Sequence, residues 1–213
     1  MSISTAARNH PLRFEIDYPE RELNRMSTFF RLLVAIPILI VLSSVAGGVW
    51  QWSYEDGKAA AAAAGGVLVL GPLLMIVFRQ KYPRWWFDFN LELTRFSTRV
   101  SSYVALMSDQ YPSTDEKQSV HLDLVYPDVE QDLNRWLPLV KWLLAIPHYV
   151  ALLFLGVVAV FAVVLAWFAI LFTGRYPRGL FDFVEGVMRW GLRVQAYALL
   201  LVTDQYPPFR LGA

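Results

Sequence analysis

Long apolar blocks separated by short polar stretches set the architecture of this chain. Residues 32–50 run 19 positions without a charge, residues 59–78 run 20, and residues 142–172 run 31 with His148 as their one imidazole. A bilayer core about 30 Å thick needs ~20 apolar helical residues at ~1.5 Å rise each. The first two blocks therefore predict one crossing apiece. The third would measure roughly 47 Å as a single helix, too long for one upright span. It predicts a tight hairpin turning near Gly156 on two short legs, with a re-entrant or tilted arrangement as the other geometry.

The polar stretches carry their own periods. "FEIDYP" at 14–19 and "VHLDLVYP" at 120–127 alternate apolar and polar residues, the pattern of half-buried strands. Pro19 and Pro127 then suit the first turn of a following helix. Pro37 and Pro147 fall inside apolar helices, where each predicts a bend or a kink. After the blocks, Asp88, Glu92, Arg95 and Arg99 step by 4, 3 and 4, and Asp182, Glu185, Arg189 and Arg193 by 3, 4 and 4. Each set forms one polar stripe on an aromatic-rich helix, over 84–108 and 178–203. That pattern predicts helices lying in a membrane interface. The tail "DQYPPFRL" is expected to add an edge strand to a small sheet.

The chain repeats itself. Residues 82–103 and 176–197 share ten identities in 22 positions, beginning with Tyr-Pro-Arg and Phe-Asp-Phe. "DQYP" occurs at 109–112 and 204–207, "LNR" at 23–25 and 133–135, "AIP" at 35–37 and 145–147. The offset falls from 110 at AIP to 94 at the Tyr-Pro-Arg phrase, so the first copy carries 16 extra residues between them. Repetition on this scale predicts a tandem duplication. The expected organisation is a tail at 1–13, a first membrane repeat at 14–112, a linker at 113–121, a second repeat at 122–207 and a tail at 208–213. The fold class this predicts is an all-α integral membrane protein. Each unit is a transmembrane or re-entrant helical hairpin plus an interfacial amphipathic helix, with short β segments near its termini.

Composition narrows the reading. The chain is 56% hydrophobic and 15% aromatic, greasier than a usual soluble domain, and has no cysteine. Disulfides, thiolate metal sites and cysteine nucleophiles are thereby excluded. The polar N-terminal stretch predicts no cleaved signal peptide. Arg21, Arg25 and Arg31 precede the first hairpin and Arg79, Lys81 and Arg84 follow it, while the loop at 53–58 is acidic. The positive-inside rule then puts both termini in the cytoplasm of a multi-pass inner-membrane protein, with that loop outside. The order YP, LNR, AIP, (K/R)YPR, FDF, R-x-x-x-R and DQYP resembles the bacterial membrane-protein family catalogued as domain of unknown function 4389. The resemblance implies a bacterial membrane protein and no particular activity.

Candidate chemistry is sparse. Intramembrane ionisable groups are functional candidates, and Lys141 and His148 are the two near the last block. Lys141 is expected to snorkel to the surface and His148 to pack. No phosphate-binding glycine loop, nucleophile elbow or His-Glu metal spacing occurs, so no cofactor, no metal and no catalytic residue are expected. The "AAAAAAGG" run suits close helix packing, and the basic residues form no nucleic-acid stripe. Arginine can hold one phosphate through two parallel hydrogen bonds. Arg84, Arg95 and Arg99, with Arg178, Arg189 and Arg193, are therefore the candidate headgroup ligands. In the competing reading Asp88, Glu92, Asp182 and Glu185 occupy those arginines as ion-pair partners. The leading expectation is a non-enzymatic module that binds anionic lipid, a partner membrane protein or a second copy of itself. A small transporter or channel with a cavity between the halves and a lipid-headgroup enzyme are the alternatives.

Overall fold

The computed structural model describes residues 10–46, 64–114 and 116–212. The loop at 53–58, most of the alanine-glycine run and residues 1–9 of the 1–13 tail lie outside the described residues. Two strands, β1 (Leu12–Ile16) and β2 (Val120–Leu124), pair antiparallel with Phe14 opposite Leu122. Their alternation buries Leu12, Phe14, Ile16, Val120, Leu122 and Leu124 and turns Arg13, Glu15, His121 and Asp123 outward. This sheet joins the N-terminal segment to the middle of the chain. The tail at 204–212 adds no strand to it, contrary to the sequence expectation. Pro207 and Pro208 remove ladder donors, and the tail's last carbonyls are taken instead by arginines of a helix.

The helices are α1 (Arg25–Phe29), α2 (Arg31–Ala46), α3 (Ala64–Arg79), α4 (Arg84–Val104), α5 (Val129–Asp132), α6 (Pro138–Leu144), α7 (Ile146–Thr173) and α8 (Arg178–Ala198). Side chains start two of them. Asn24 Oδ1 accepts from the Ser27 amide, and Asp128 accepts from the amides of Glu130 and Gln131. Pro83 and Pro177 cap α4 and α8 in extended backbone, so the Tyr-Pro-Arg phrase is where each amphipathic helix begins. Both amphipathic helices end about four residues short of the expected bounds. Leu106 and Leu201, just past those ends, adopt left-handed backbone at φ 65° and 57°, and the turn stops the helix. Pro19 and Pro127 lie outside helices. The chain breaks at Phe30 and Ala145, before the helical prolines, and α2 continues through Pro37.

The expected hairpin at 142–172 is not formed. α7 is one continuous helix of 28 residues. A lone Gly156 costs a helix only about 1 kcal/mol, and neither proline nor a polar turn residue follows Pro147 before Gly174. The helix ends where Gly174 takes φ 74° and its amide bonds the Ile170 carbonyl. Among the described residues, α7 is the one helix long and apolar enough to cross a membrane, with mean hydropathy 2.9 and 11% of its most apolar stretch buried.

The packing exchanges partners. β2 lies on α4 and β1 lies on α8, so each strand seats on the amphipathic helix from the other part of the chain. α2 packs on α4 and α7 on α8, while α1 meets α7 and α3 meets α6. The core therefore forms between the strands and the amphipathic helices and continues onto one stripe of α7 at Ala162, Ala166 and Ile170.

Candidate functional site

The two Tyr-Pro-Arg corners are built alike from matched residues. At the first, Tyr126 Oη donates to the Tyr82 carbonyl at 2.5 Å, and its ring lies 4.7 Å beneath the Arg84 guanidinium. At the second, Tyr18 Oη donates to the Tyr176 carbonyl at 2.5 Å, with its ring 4.4 Å beneath Arg178. Tyr126 and Tyr18 end the alternating segments, so each corner is braced by the other part of the chain. Arg84 pairs with Asp88 at 3.3 Å and Arg178 with Asp182 at 3.2 Å, both through Nε. Their side chains are 69% and 66% exposed, leaving the terminal amino groups facing outward. Burial pushes the Tyr82 phenol up to about 12 and the Tyr176 phenol up further, which keeps both neutral.

The inner arginines are engaged by protein. Arg95 donates to the Leu122 carbonyl at 2.8 Å and pairs with Glu92 and Asp123 at 2.6 and 2.7 Å. Arg189 does the same on the other strand: it donates to the Phe14 carbonyl at 3.1 Å and the Leu211 carbonyl at 3.2 Å, and pairs with Glu185 at 2.5 Å. Glu185 also accepts from the Ile16 amide at 3.2 Å. Arg99 donates to Ser113 O at 2.7 Å, and Arg193, 4% exposed, to Gly212 O at 3.0 Å. Burial and the neighbouring Arg210 and Arg189 pull Arg193 below its usual range. Of the six candidate arginines, only Arg84 and Arg178 are exposed.

Two buried clasps escaped the sequence reading. Lys141 does not snorkel: it is fully buried, with Nζ 2.7 Å from both the Thr203 carbonyl and Asp204 Oδ1. Burial draws it below its ordinary value and Asp204 opposes the shift. The Tyr197 ring lies 5.1 Å away, and Asp204 also accepts from the Asn134 amide at 2.5 Å. Arg31 repeats the arrangement with the Ser108 carbonyl, Asp109 and the Tyr103 ring at 4.2 Å, while Asp109 accepts from the Asn24 amide at 2.8 Å. The available signal was the repeated LNR and DQYP together with a cation recurring at 31 and 141. These phrases meet in space to hold the start of an apolar helix.

His148 is buried as expected. Its Nδ1 accepts from Trp190 Nε1 at 3.1 Å, and its ring stacks on Phe209 at 4.0 Å. An open groove of about 620 Å³ runs beside the first corner, lined by Arg79, Lys81, Tyr82, Tyr126, Asp128 and Glu130. No cluster of three or more metal-ligating side chains occurs among the described residues. No curated protein and no solved structure matches the chain. The family described as domain of unknown function (DUF4389) matches residues 136–210, from the start of α6 through α7 and α8 to the tail.

Proposed function

We propose that this protein is a non-enzymatic, membrane-embedded module, made of two copies of one unit, that holds anionic lipid headgroups at its two Tyr-Pro-Arg corners. It serves as a scaffold or accessory subunit at the bacterial inner membrane, with both termini on the cytoplasmic side. The observation that carries the reading is the pair of outward guanidinium edges on Arg84 and Arg178. Each sits where an apolar helix gives way to an amphipathic one, and each is held from below by a tyrosine ring and from the side by an aspartate. A guanidinium fixed in this way offers two parallel donors to one phosphate. The arginines farther along each helix, Arg95, Arg99, Arg189 and Arg193, anchor strands and loops and hold the corners in place. The matched sequence phrases and their matched contacts support the two-copy reading.

Native mass spectrometry of the detergent-solubilised protein tests this with Arg84→Lys combined with Arg178→Lys. The substitution preserves charge and removes the fork. Loss of co-purifying phosphatidylglycerol or cardiolipin is the expected result. Unchanged lipid retention would leave the corners a structural role alone.

A further inference from the structure

α7 has the length and hydropathy of a transmembrane span, yet its neighbours set a different orientation. From His148 to Thr173 it rises roughly 37 Å. Its C-terminal end joins α8 through the four residues 174–177, which reach at most about 14 Å. Its N-terminal end touches α8 at Trp190, whose ring lies 5.8 Å from that of His148. Trp190 is about 18 Å along α8 from Arg178. These shorter stretches reach the far end of α7 only if α8 runs back alongside it. Ala145 packs in the same cluster as Trp190, Val194, Tyr197 and Ala198, which continues the antiparallel match to the end of α8.

α8 in turn carries the sheet. Glu185 and Arg189 bond the backbone of β1 roughly 10 to 17 Å along α8, in the stretch that runs back alongside α7 up to the Trp190 contact. The sheet's outer face presents Arg13, Glu15, Asp17, His121 and Asp123 to solvent. An upright α7 would carry this charged face alongside it into the hydrocarbon, where each ionised group is costly. Turning the α7–α8 pair into the membrane plane removes the conflict. The sheet then stays in water, α8 lies at the headgroups, and α7 sits beneath it among acyl chains.

The distribution of residues around α7 agrees. His148, Ala162, Ala166 and Ile170 form its buried stripe. Val150, Val157, Phe161 and Phe168 line the opposite stripe and are 50%, 51%, 66% and 48% exposed. Trp85, Trp136 and Trp142 are exposed, as are the cations Arg79, Lys81, Arg84 and Arg175, residue types suited to headgroup level. We infer that α7 does not cross the bilayer: it is embedded lengthwise in one leaflet, with the stripe Val150, Val157, Phe161 and Phe168 facing the acyl chains. This rests on the membrane reading above and specifies how the membrane is engaged.

The chain has no cysteine, so single cysteines at positions 150, 157, 161 and 168 each take one environment-sensitive fluorophore. All four replaced residues point away from the protein, so the fold is not at stake. The full chain is reconstituted in phosphatidylcholine/phosphatidylglycerol vesicles, and quenching by lipids spin-labelled at graded acyl depths locates each site. The expected result is one common depth within a single leaflet at all four positions. A depth that ramps from one side of the bilayer through its midplane, across the roughly 27 Å between 150 and 168, would overturn the lengthwise seat while leaving the membrane reading intact. Absence of quenching at every position would overturn both.

Discussion

Asp204→Asn should destabilise this protein more than Lys141→Met does, although the two residues form one pair. The reason is the asymmetry of their surroundings. The Lys141 side chain is 0% exposed, and besides Asp204 its ammonium has one carbonyl, Thr203 O, and the Tyr197 ring. The Asp204 side chain is 21% exposed and keeps the Asn134 amide if the lysine is removed. Asp204→Asn leaves a buried cation uncompensated, a defect that costs about 3–5 kcal/mol. Lys141→Met keeps the apolar stem and leaves a partly hydrated carboxylate, costing about 1–2 kcal/mol. The double variant should be milder than Asp204→Asn alone, because it removes the stranded charge, so a double-mutant cycle should show strong coupling. At roughly 2–4 °C per kcal/mol for a protein of this size, Asp204→Asn should lower Tm by about 10 °C. Thermal unfolding in mild detergent, followed by tryptophan emission, reads this directly. Equal losses for the two single variants would mean that Lys141 is uncharged in the fold, and the argument would fail. The matched Arg31–Asp109 clasp should show the same order when Asp109→Asn is compared with Arg31→Met.

Tyr18→Phe and Tyr126→Phe should each remove one hydrogen bond between the parts of the chain, at about 1 kcal/mol apiece, and the same melting assay should show the two losses adding. Gly71→Ala would place a Cβ 2.2 Å from the Trp86 ring, so about 1–3 kcal/mol of overpacking is expected together with a shifted Trp86 emission. His10 is held down to about 4 by burial and by Arg193 and Arg210. The unfolded chain takes up this proton near pH 6.5 and the folded chain only near 4, so stability from this site is complete above about 6.5 and declines as pH falls toward 4. His10→Gln should flatten the Tm-versus-pH curve in that window, and an unchanged curve would assign the acid sensitivity elsewhere.

Local pattern made much of the fold legible. The alternation at 14–19 and 120–127 marked both strands, and Tyr-Pro-Arg marked the first residue of each amphipathic helix. The acid–arginine stripes were read as facing a membrane interface, whereas their Arg95 and Arg189 bond the strands of the sheet. The exchange of strands was invisible for a physical reason: the acceptors that decide it are backbone carbonyls. Leu122 O receives Arg95 and Phe14 O receives Arg189, and a carbonyl leaves no trace in the residue type that carries it. The same holds for Ser108 O and Thr203 O beneath the two clasp cations. Lys141 was misread because snorkelling is what an isolated lysine beside an apolar block does. Its carboxylate partner lies 63 positions away, a distance that no helical period connects.

On the proposed two-copy reading, the 16-residue length difference between the two sets of repeated phrases follows from these clasps. In each half a cation at the start of the apolar segment is bound to the aspartate just beyond the amphipathic helix: Arg31 to Asp109, Lys141 to Asp204. The amphipathic helices α4 and α8 are both 21 residues long, so both halves fix the same separation between clasp and corner. The later half covers it with α7, a single continuous helix entered through the short α6. In the earlier half α2 matches 141–156 and α3 matches 158–173, and the 16 additional residues fall between them. A helix lengthened by 16 residues would be about 24 Å too long for the fixed separation. The clasps and corners fix the two ends of the segment, so the added residues fall between them. By the same argument the corners and clasps cannot accept added length, which is why the repeated phrases gather there.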